Sequence, residues 1–432
     1  MSAALRSFEA QWHARAADAL QPVRARAMQR FLKLGLPSLR DETWRYTDLR
    51  SLDTQSFTDA PCKIAGETRA DASGSLLDGA QHTTVIMING CPSVRDSAAI
   101  NGIEINSISE IYNIDSKSLA RFFEPPSDAD QRRWALLNTA LFMDGLYLKI
   151  TKPVAAPVVI LHVSTGGSEQ EAAHPRVIID AYPGSNATII EHHVARGAHA
   201  PLSNSNTQIA LARGSRLEHY RVYSTGPAAT HLDSLEIQQA EGSQCKQFTV
   251  ALGGGLVRST LEANLRERSA SLDSYSLLVG HEDRHVDCVN IVTHAAPETQ
   301  SRQTARAIAG DVSRVIFNSK VIVSAGAVQS DSRQSSRGLL LSPKAEIDTR
   351  PQLEIHADEV KCAHGATTGR LDPDMLFYLL SRGLDRETAQ GLLVFAFLAD
   401  VLTGMSVTPA RAAIENALIN QLPDSQVLRK FR

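Results

Sequence analysis

The chain has few aromatic residues, no large excess of charge of one sign and no long apolar run. Phe, Trp and Tyr make up 5% of its 432 residues, so the hydrophobic core must be mainly aliphatic. The 44 Lys and Arg nearly balance the 47 Asp and Glu. A net charge of -3 produces no overall electrostatic field that would attract nucleic acid or an anionic membrane. No apolar run approaches membrane-spanning length. These absences predict a globular protein with neither nucleic-acid nor membrane partners.

Cysteine is scarce as well. The five residues, Cys62, Cys91, Cys245, Cys288 and Cys362, are odd in number and widely spaced, unlike the dense, even set of a secreted disulfide scaffold. The first twenty residues mix Arg with Glu and Asp and lack the continuous apolar segment of a signal peptide. We therefore expect a protein of a reducing compartment, with a cytoplasmic location.

The common motifs of nucleotide-dependent and hydrolytic enzymes are missing. The sequence contains no Walker loop, no G-x-G-x-x-G fingerprint, no G-x-S-x-G elbow and no H-E-x-x-H helix. The run Gly253–Gly255 lacks a following Lys-Ser or Lys-Thr, and we interpret it as a flexible turn. The scattered Asp and Glu residues form no recognisable acid–base pair. The sequence therefore indicates no ATPase or nicotinamide chemistry of its own.

Helical periodicity covers the start of the chain, up to about Leu34, and returns near its end. Asp372 before Pro373 predicts the start of a C-terminal helix, and Gly383 predicts its end. Asp385 then predicts the N-cap of a second helix. The chain is therefore expected to be helical at both ends.

Between residues 146 and about 355, short apolar or alternating runs predict strands separated by polar turns. Three of these turns read x-Gly-Ser-x-apolar, and their glycines, Gly184, Gly214 and Gly242, are 30 and 28 residues apart. Such a period favours a β-helix, in which each rung covers its neighbour. A large β-sandwich with chance Gly-Ser turns is the alternative. We divide the chain into a helical or mixed region 1–145, a β-helix core 146–366 and a helical region 367–432.

Residues 351–370, PQLEIHADEVKCAHGATTGR, place Cys362 two positions before His364. If this stretch runs as a strand into a turn, the thiol and the imidazole point to the same face and can reach one metal centre. An iron–sulfur cluster usually takes four ligands, mostly thiolates, and no second cysteine lies nearby in the sequence. One chain therefore cannot complete such a site. The alternative is a small buried thiol beside a hydrogen-bonded turn histidine.

Two other groups of histidines are weaker candidates. His192 and His193 are adjacent, and adjacent strand residues point to opposite faces, so they are not expected to share a metal. His281 and His285 would form a metal pair only on a helix, and their surroundings have the pattern of strands. We interpret all four as polar loop or surface residues.

The run Leu376–Leu380 is apolar at five consecutive helical positions. Such a run circles the helix instead of keeping to one stripe. The helix is therefore either buried entirely within its own domain or docks a partner protein.

Two segments carry a resemblance to a known family. The stretch LLLSPKAEIDTRPQLEIHADEVKCAHGATTGRLDPDMLFYLLSRGLDRETAQGLLVFAFLADVL, from Leu339 to Leu402, resembles the C-terminal signature of the SufD family, the scaffold subunits of the SUF iron–sulfur assembly machine. The segment GLPSLRDETWRYTDL, from Gly35 to Leu49, is similar to the family's N-terminal motif. In the paralogous SufB family the stretch around Cys362 typically reads like HEATTSRIG, so the SufD family is the better fit.

The resemblance implies a mainly β fold, with a right-handed parallel β-helix core flanked by N-terminal and C-terminal helical domains. It further implies a non-enzymatic scaffold that pairs with SufB through the β-helix ends and docks the SufC ATPase through the C-terminal domain. Homodimers in isolation are compatible with the family. The expected docking residues are Leu376, Phe377, Tyr378, Leu379, Arg382 and Gly383.

The resemblance also implies a role for the Cys-x-His pair. His364 matches the family's proposed cluster-ligand histidine, and Cys362 matches its neighbouring cysteine. The expected cargo is a nascent iron–sulfur cluster that is shared transiently with SufB, and no permanently bound cofactor is expected. Two alternatives remain: an architectural paralogue without a ligand role, and a β-helix enzyme acting on polysaccharides, which would need a close group of Asp, Lys or Arg on one face.

Overall fold

The computed structural model of the chain describes residues 2–62, 76–77, 80–95, 101–124, 132–166, 170–196 and 201–421. In these parts the helices are α1 (Ala3–Ala14), α2 (Gln21–Leu34), α3 (Arg50–Asp53), α4 (Ile108–Ile114), α5 (Ser116–Ala120), α6 (Arg133–Leu141), α7 (Pro373–Ser381), α8 (Arg386–Leu402) and α9 (Thr408–Gln421), with a 3₁₀ turn at Glu42–Trp44. None of these helices is long and apolar enough to cross a bilayer.

Strands occupy most of the chain between these helical ends. They are β1 (Thr58–Asp59), β2 (Thr83–Ile88), β3 (Cys91–Arg95), β4 (Ile103–Ser107), β5 (Leu146–Ile150), β6 (Val158–Thr165), β7 (Glu171–Ala173), β8 (Arg176–Ala181), β9 (Asn186–Arg196), β10 (Leu202–Ser203), β11 (Asn206–Leu211), β12 (Arg216–Tyr223), β13 (Thr230–Gln239), β14 (Gln244–Ala251), β15 (Leu256–Leu265), β16 (Ser271–Gly280), β17 (His285–His294), β18 (Gln300–Ala309), β19 (Arg314–Val323), β20 (Asp331–Leu340), β21 (Glu346–Ile355) and β22 (Lys361–Arg370).

The strands form two sheets that the chain enters alternately. The first sheet has the order β21-β19-β17-β15-β13-β11-β8-β5-β4, with β1, β7 and β10 attached beside it, and the second has the order β22-β20-β18-β16-β14-β12-β9-β6-β2-β3. Neighbours are parallel except at the two N-terminal edges, where β4 pairs with β5 and β3 pairs with β2 in antiparallel fashion. Each turn of the chain thus adds one strand to each sheet, which confirms the predicted parallel β-helix.

The main apolar core lies between the two sheets. Inward-facing residues of the second sheet, such as Ile189 and Leu217, belong to the same buried cluster as Leu235 and Leu261 of the first sheet. These side chains alternate with residues that point outward, as the period of a strand requires. The core is mainly aliphatic, as the low aromatic content predicted.

The Gly-Ser turns stand at one corner of the β-helix. Gly184, Gly214 and Gly242 have φ values of 70°, 65° and 63°, a left-handed conformation that glycine adopts without steric cost. The same turn recurs in the later rungs without glycine, at Ser269, Glu298, Gln329 and Glu359, with φ between 54° and 60°. The repeat therefore continues for four more rungs than its glycines indicate.

Helices cover the outer faces of both sheets. Helices α1, α2 and α6 form a cluster with Trp44 and with Leu232 of β13, so the N-terminal region packs on the first sheet. Val394 and Leu398 of α8 join Phe248 and Leu277 of the second sheet in another buried cluster. Outside these contacts the second sheet keeps exposed side chains on its outer face, such as Lys246 of β14 and Arg302 of β18.

The helix ends predicted at the C-terminus are confirmed. The Asp372 side chain accepts hydrogen bonds from the backbone N–H groups of Asp374 and Met375 at the start of α7. Gly383, just after α7, has a φ of 89°. The Asp385 side chain accepts from the Thr388 N–H at 2.8 Å and caps α8.

The predicted bounds of the β-helix core differ from those of the strands that form the two sheets. The boundary predicted at residue 366 lies inside β22, which continues to Arg370, and the first region supplies β2, β3 and β4 to the two sheets. The division into three domains stays a prediction.

The structure also joins Cys62 to Cys91 in a disulfide across 29 residues. The expectation of a reduced protein did not include this pair, because distant cysteines reveal their proximity only in the folded chain.

Candidate functional site

The β-helix ends on two strands whose outer edges are open. Strand β21 is the last strand of the first sheet, and β22 is the last strand of the second. No residue of β22 is buried, and no residue of β21 is fully buried either. In the parts of the chain that the structure describes, nothing covers this end, so the backbone groups along these edges are available to another strand.

Cys362 and His364 both lie on β22, opposite Ser332 and Gln334 of β20. Cys362 is half-buried and packs against the aliphatic cluster between the sheets, so its side chain points into the β-helix. His364 lies two residues further along the same strand and therefore points to the same side. It is nevertheless exposed, because no further rung follows β22.

The structure thus brings the predicted pair together on one face. It differs from the expectation in one respect, since both residues lie within a continuous strand and not at a strand-to-turn junction. The alternative of a small buried thiol beside a hydrogen-bonded turn histidine does not fit this placement, because Cys362 is only half-buried and His364 lies within a strand.

The environment of the Cys362 thiol is partly apolar. Burial raises its pKa above the ordinary value of a cysteine, and a hydrogen bond from the Ser332 backbone partly opposes this effect. The thiolate is the form that binds a metal. Cys362 is therefore protonated at neutral pH in the isolated chain, and it must lose a proton to act as a ligand.

The ligand set at this end is incomplete within one chain. Across the described residues, neither Cys362 nor His364 belongs to a group of three His, Cys, Asp or Glu residues whose ligand atoms all lie within 4.8 Å of one another. A tetrahedral thiolate and imidazole site needs about four ligands. The arrangement can supply part of a metal or cluster shell whose remainder comes from outside the chain.

Helix α7 follows β22 directly and exposes apolar side chains. Met375, Phe377 and Tyr378 are 58%, 72% and 55% exposed, and no residue of α7 is buried. The alternative of a helix buried entirely within its own domain is therefore wrong. Large exposed apolar side chains in one short helix are typical of an interaction surface.

The other predicted docking residues surround this exposed group. Leu376 and Leu379 are half-buried, and Arg382 and Gly383 are exposed. The Arg382 guanidinium lies 5.0 Å from the centre of the Tyr378 ring, a cation–π contact that holds the ring at the surface. The structure places all six residues on one helix and the turn that ends it.

The interpretation of His192 and His193 as loop or surface residues is wrong. Both lie within β9 and are 3% and 2% exposed. They do point to opposite faces, since His193 has a ligand atom close to those of other histidines and carboxylates in the interior and His192 has none. His281 does lie in a turn, where its Nδ1 is 2.5 Å from Asp311 Oδ2, and His285 begins β17.

Comparison with known proteins covers nearly the whole chain. Residues 162–397 match the family model described as the SUF system FeS cluster assembly, SufBD core domain. Residues 5–160 match the model described as the SufBD protein N-terminal region. Together the two matches span the N-terminal helices, the β-helix and most of α8.

Individual relatives agree with the family models. The iron–sulfur cluster assembly protein SufD of Escherichia coli is 29% identical over 91% of this chain and 90% of its own length. The iron–sulfur cluster assembly SufBD family protein slr0076 of Synechocystis is 27% identical over 85% of this chain and 84% of its own length. The SufD protein of Bacillus subtilis is 25% identical over 66% of each chain.

Proposed function

The chain belongs to the SufBD family of the SUF iron–sulfur cluster assembly system, and from that premise we propose that it is a SufD-type scaffold subunit. It pairs with a SufB subunit and with the SufC ATPase, and it has no catalytic activity of its own. The observation that carries the proposal is the half-complete ligand set, Cys362 and His364, at the open end of the β-helix. Such a pair can hold a cluster only if a partner chain supplies the remaining ligands.

The two open sheet edges are the proposed SufB interface. Strands β21 and β22 leave a row of backbone N–H and C=O groups on each edge, and a paralogous β-helix can continue both sheets by pairing with them. Two edges from one chain also fix the register of the partner better than one edge does. Isolated chains with the same open edges can pair with each other, which is consistent with a homodimer in the absence of SufB.

The proposed cargo is a nascent iron–sulfur cluster held between the two chains. The His364 imidazole is exposed and needs no rearrangement to reach a partner. Cys362 lies on the same strand but is half-buried, and it becomes a ligand only after its thiol loses a proton. In this proposal SufB supplies the remaining ligands, and the cluster leaves when the two chains separate.

Helix α7 is the proposed SufC docking element. Phe377 and Tyr378 are the two exposed aromatic side chains of the helix, and burying aromatic side chains of this kind dominates the energy of many interfaces. Leu376, Leu379, Arg382 and Gly383 complete the surface around them. Helix α7 follows β22 after only two residues, so the docking surface begins on the element next to the strand that carries the ligand pair.

A movement of a docked SufC subunit can be transmitted from α7 to the ligand pair through packed elements. Helix α7 packs against α8, whose Val394 and Leu398 are buried against Phe248 and Leu277 of the second sheet. The Asp400 carboxylate of α8 pairs with the guanidinium of Arg306, whose side chain is buried on β18. A force on α7 therefore acts on both the end and the outer face of the sheet that carries Cys362 and His364.

The docking assignment is tested with a Phe377→Asp, Tyr378→Asp double variant and purified SufC. The double variant should lose SufC binding by at least tenfold, because two buried charges would oppose the interface. An Ile114→Asp, Val312→Asp variant is the matched control, since these side chains are also exposed, by 82% and 54%, but belong to α4 and to the turn between β18 and β19. Unchanged SufC affinity of the α7 variant would show that the docking surface lies elsewhere.

A further inference from the structure

A second group of metal-ligating side chains lies inside the early rungs of the β-helix. His162, His193 and Tyr223 stand opposite one another on β6, β9 and β12 of the second sheet. His231 and Asp233 come from β13 of the first sheet. All five are 3% exposed or less, and three of their imidazole rings make close ring contacts with neighbouring rings in the cluster.

Two overlapping sets of residues have ligand atoms close to one another. One ligand atom each of His193, His231 and Asp233 lies within 4.8 Å of the others, and the same holds for His162, Glu191 and His193. His193 is common to both sets. It therefore occupies the centre of the group.

The set with Glu191 is already satisfied by hydrogen bonds. The Glu191 carboxylate lies 3.0 Å from His162 Nε2 and 2.9 Å from His219 Nε2, and it accepts a hydrogen bond from the Thr207 hydroxyl at 2.8 Å. A metal at this carboxylate would have to displace partners that the protein itself supplies. We therefore exclude Glu191 from the ligand set.

The set with Asp233 is different, because each member has a buried atom without a hydrogen-bond partner. These atoms are His193 Nε2, His231 Nδ1 and Asp233 Oδ2; the Tyr223 hydroxyl, which also lacks a hydrogen bond of good geometry, lies beside the Asp233 carboxylate. The opposite atoms of two of the residues are used for positioning, since His231 Nε2 lies 3.1 Å from the Thr225 hydroxyl and Asp233 Oδ1 accepts from the Ser205 N–H at 3.0 Å. Hydrogen bonds of this kind orient metal ligands in known sites.

The charge state of the group suits a cation. The imidazoles of His193 and His231 can each bind a metal ion in their neutral form. The Asp233 carboxylate supplies a negative charge that would offset part of the charge of a buried dication. The nearby positive charge of Arg221 is opposed by Glu191, whose Oε1 lies 3.7 Å from its guanidinium.

We propose that His193, His231 and Asp233 bind one divalent first-row transition-metal ion inside the β-helix. Two imidazoles and one carboxylate without a thiolate are the donor set of non-haem Fe²⁺ sites and of many Zn²⁺ sites. His231 and Asp233 are two positions apart on one strand and so share a face, while His193 approaches from the other sheet. The site is separate from Cys362 and His364, because β22 is six strands beyond β9 along the second sheet, about 29 Å away at the spacing of strands.

The proposal is tested by loading the chelator-stripped full-length chain with Co²⁺, whose visible absorption reports its ligands. The wild type should bind one Co²⁺ per chain, with visible ligand-field bands and without the near-ultraviolet charge-transfer band of a cobalt–thiolate bond. The Asp233→Asn and His193→Gln variants should each bind Co²⁺ at least tenfold more weakly. Co²⁺ should also raise the thermal unfolding temperature of the wild type.

Two controls separate this site from others. His192→Gln changes a neighbouring histidine that is also buried and has two unpartnered ring nitrogens, but that points to the other face, and it should keep wild-type affinity. A Cys362→Ser, His364→Ala variant should also keep it, so the outcome does not depend on the proposed function of that pair.

Three results would overturn the proposal. They are no stoichiometric Co²⁺ binding by the wild type, a thiolate charge-transfer band that disappears with Cys362, and unchanged affinity in both the Asp233 and the His193 variants. If these variants fail to fold, the wild-type spectrum and stoichiometry still decide, because only nitrogen and oxygen ligation at one ion per chain agrees with the proposed set.

Discussion

The open and the covered rungs of the β-helix contain the same residue types in the same columns. Cys245 and Cys362 lie in one inward-facing column of the second sheet, with Leu272, Ser301 and Ser332 between them. His219 and His364 lie in the adjacent inward-facing column, separated by Gln247, Ser274, Gln303 and Gln334. The chain thus presents a Cys and a His both deep in its interior and at its open end.

The next rung decides what these side chains can do. Cys245 and His219 are covered on both sides and are 3% and 0% exposed. Burial raises the pKa of the Cys245 thiol and lowers the pKa of His219, the latter against the effect of Glu191. At β22 there is no next rung, so Cys362 is half-buried and His364 is exposed. Identical side chains are structural in one place and available to a partner in the other.

Thiol labelling should separate the two cysteines by the largest factor. Cys362 should react with a maleimide in the native protein, whereas Cys245 becomes accessible only when the chain unfolds. The labelling of Cys245 should therefore be at least about 1,000-fold slower for a domain of ordinary stability. The measurement is peptide mass spectrometry after timed labelling, with Cys362→Ser to identify the fast reaction. Fast labelling of Cys245 in the native chain would remove the contrast between covered and open rungs.

Alanine at the two histidines should affect stability very differently. His219→Ala removes a buried side chain and one partner of the Glu191 carboxylate, so we expect the free energy of unfolding to fall by roughly 3 kcal/mol. His364→Ala removes an exposed side chain and should change it by less than about 0.5 kcal/mol. Urea unfolding at pH 7.5 measures both. Equal losses in the two variants would mean that His364 is structural in the isolated chain.

Acid should act through the covered histidines. Burial lowers the pKa of His174 to about 3 and that of His294 to about 4. Below an unfolded-state pKa of about 6.5 the unfolded chain therefore binds protons that the native chain does not. Each histidine should lower the free energy of unfolding by about 1.4 kcal/mol per pH unit as the pH falls from about 6.5 toward the folded-state pKa, with no such loss at higher pH.

This pH effect is measured from urea midpoints of metal-free protein between pH 7.5 and 5. His294→Gln should reduce the slope, because Gln keeps hydrogen-bonding capacity but does not titrate. A flat profile in the wild type, or an unchanged slope in His294→Gln, would contradict the assignment of acid sensitivity to covered histidines.

Much of the fold was predictable because local signals carried it. The caps at Asp372 and Asp385 and the run Leu146–Ile150 mark elements whose ends the structure confirms. The turn repeat was found only where glycine takes the left-handed position. At Ser269 and Glu298 the surrounding rungs hold the same conformation, and no local residue preference predicts it.

The interior of the β-helix was the harder part. Polar residues were assigned to the surface, as is usual in soluble proteins, and this assignment failed at His193. The sequence did contain a useful signal. Ile189, Glu191 and His193 occupy every second position of one strand, and His219 lies opposite Ile189 in the next rung, at the period of the Gly-Ser turns. An inward column can continue from apolar to polar residues if partners across the sheets satisfy them.

The most direct test of the account is anaerobic cluster reconstitution with co-expressed SufB and SufC. Iron and sulfide content and visible absorption are compared for wild type, His364→Ala and the control His356→Ala, which replaces another exposed histidine that pairs with Glu354. The account predicts a severalfold loss of iron and sulfide in His364→Ala only, with the complex still assembled. Unchanged iron and sulfide content in an assembled His364→Ala complex would contradict ligand donation and leave an architectural role.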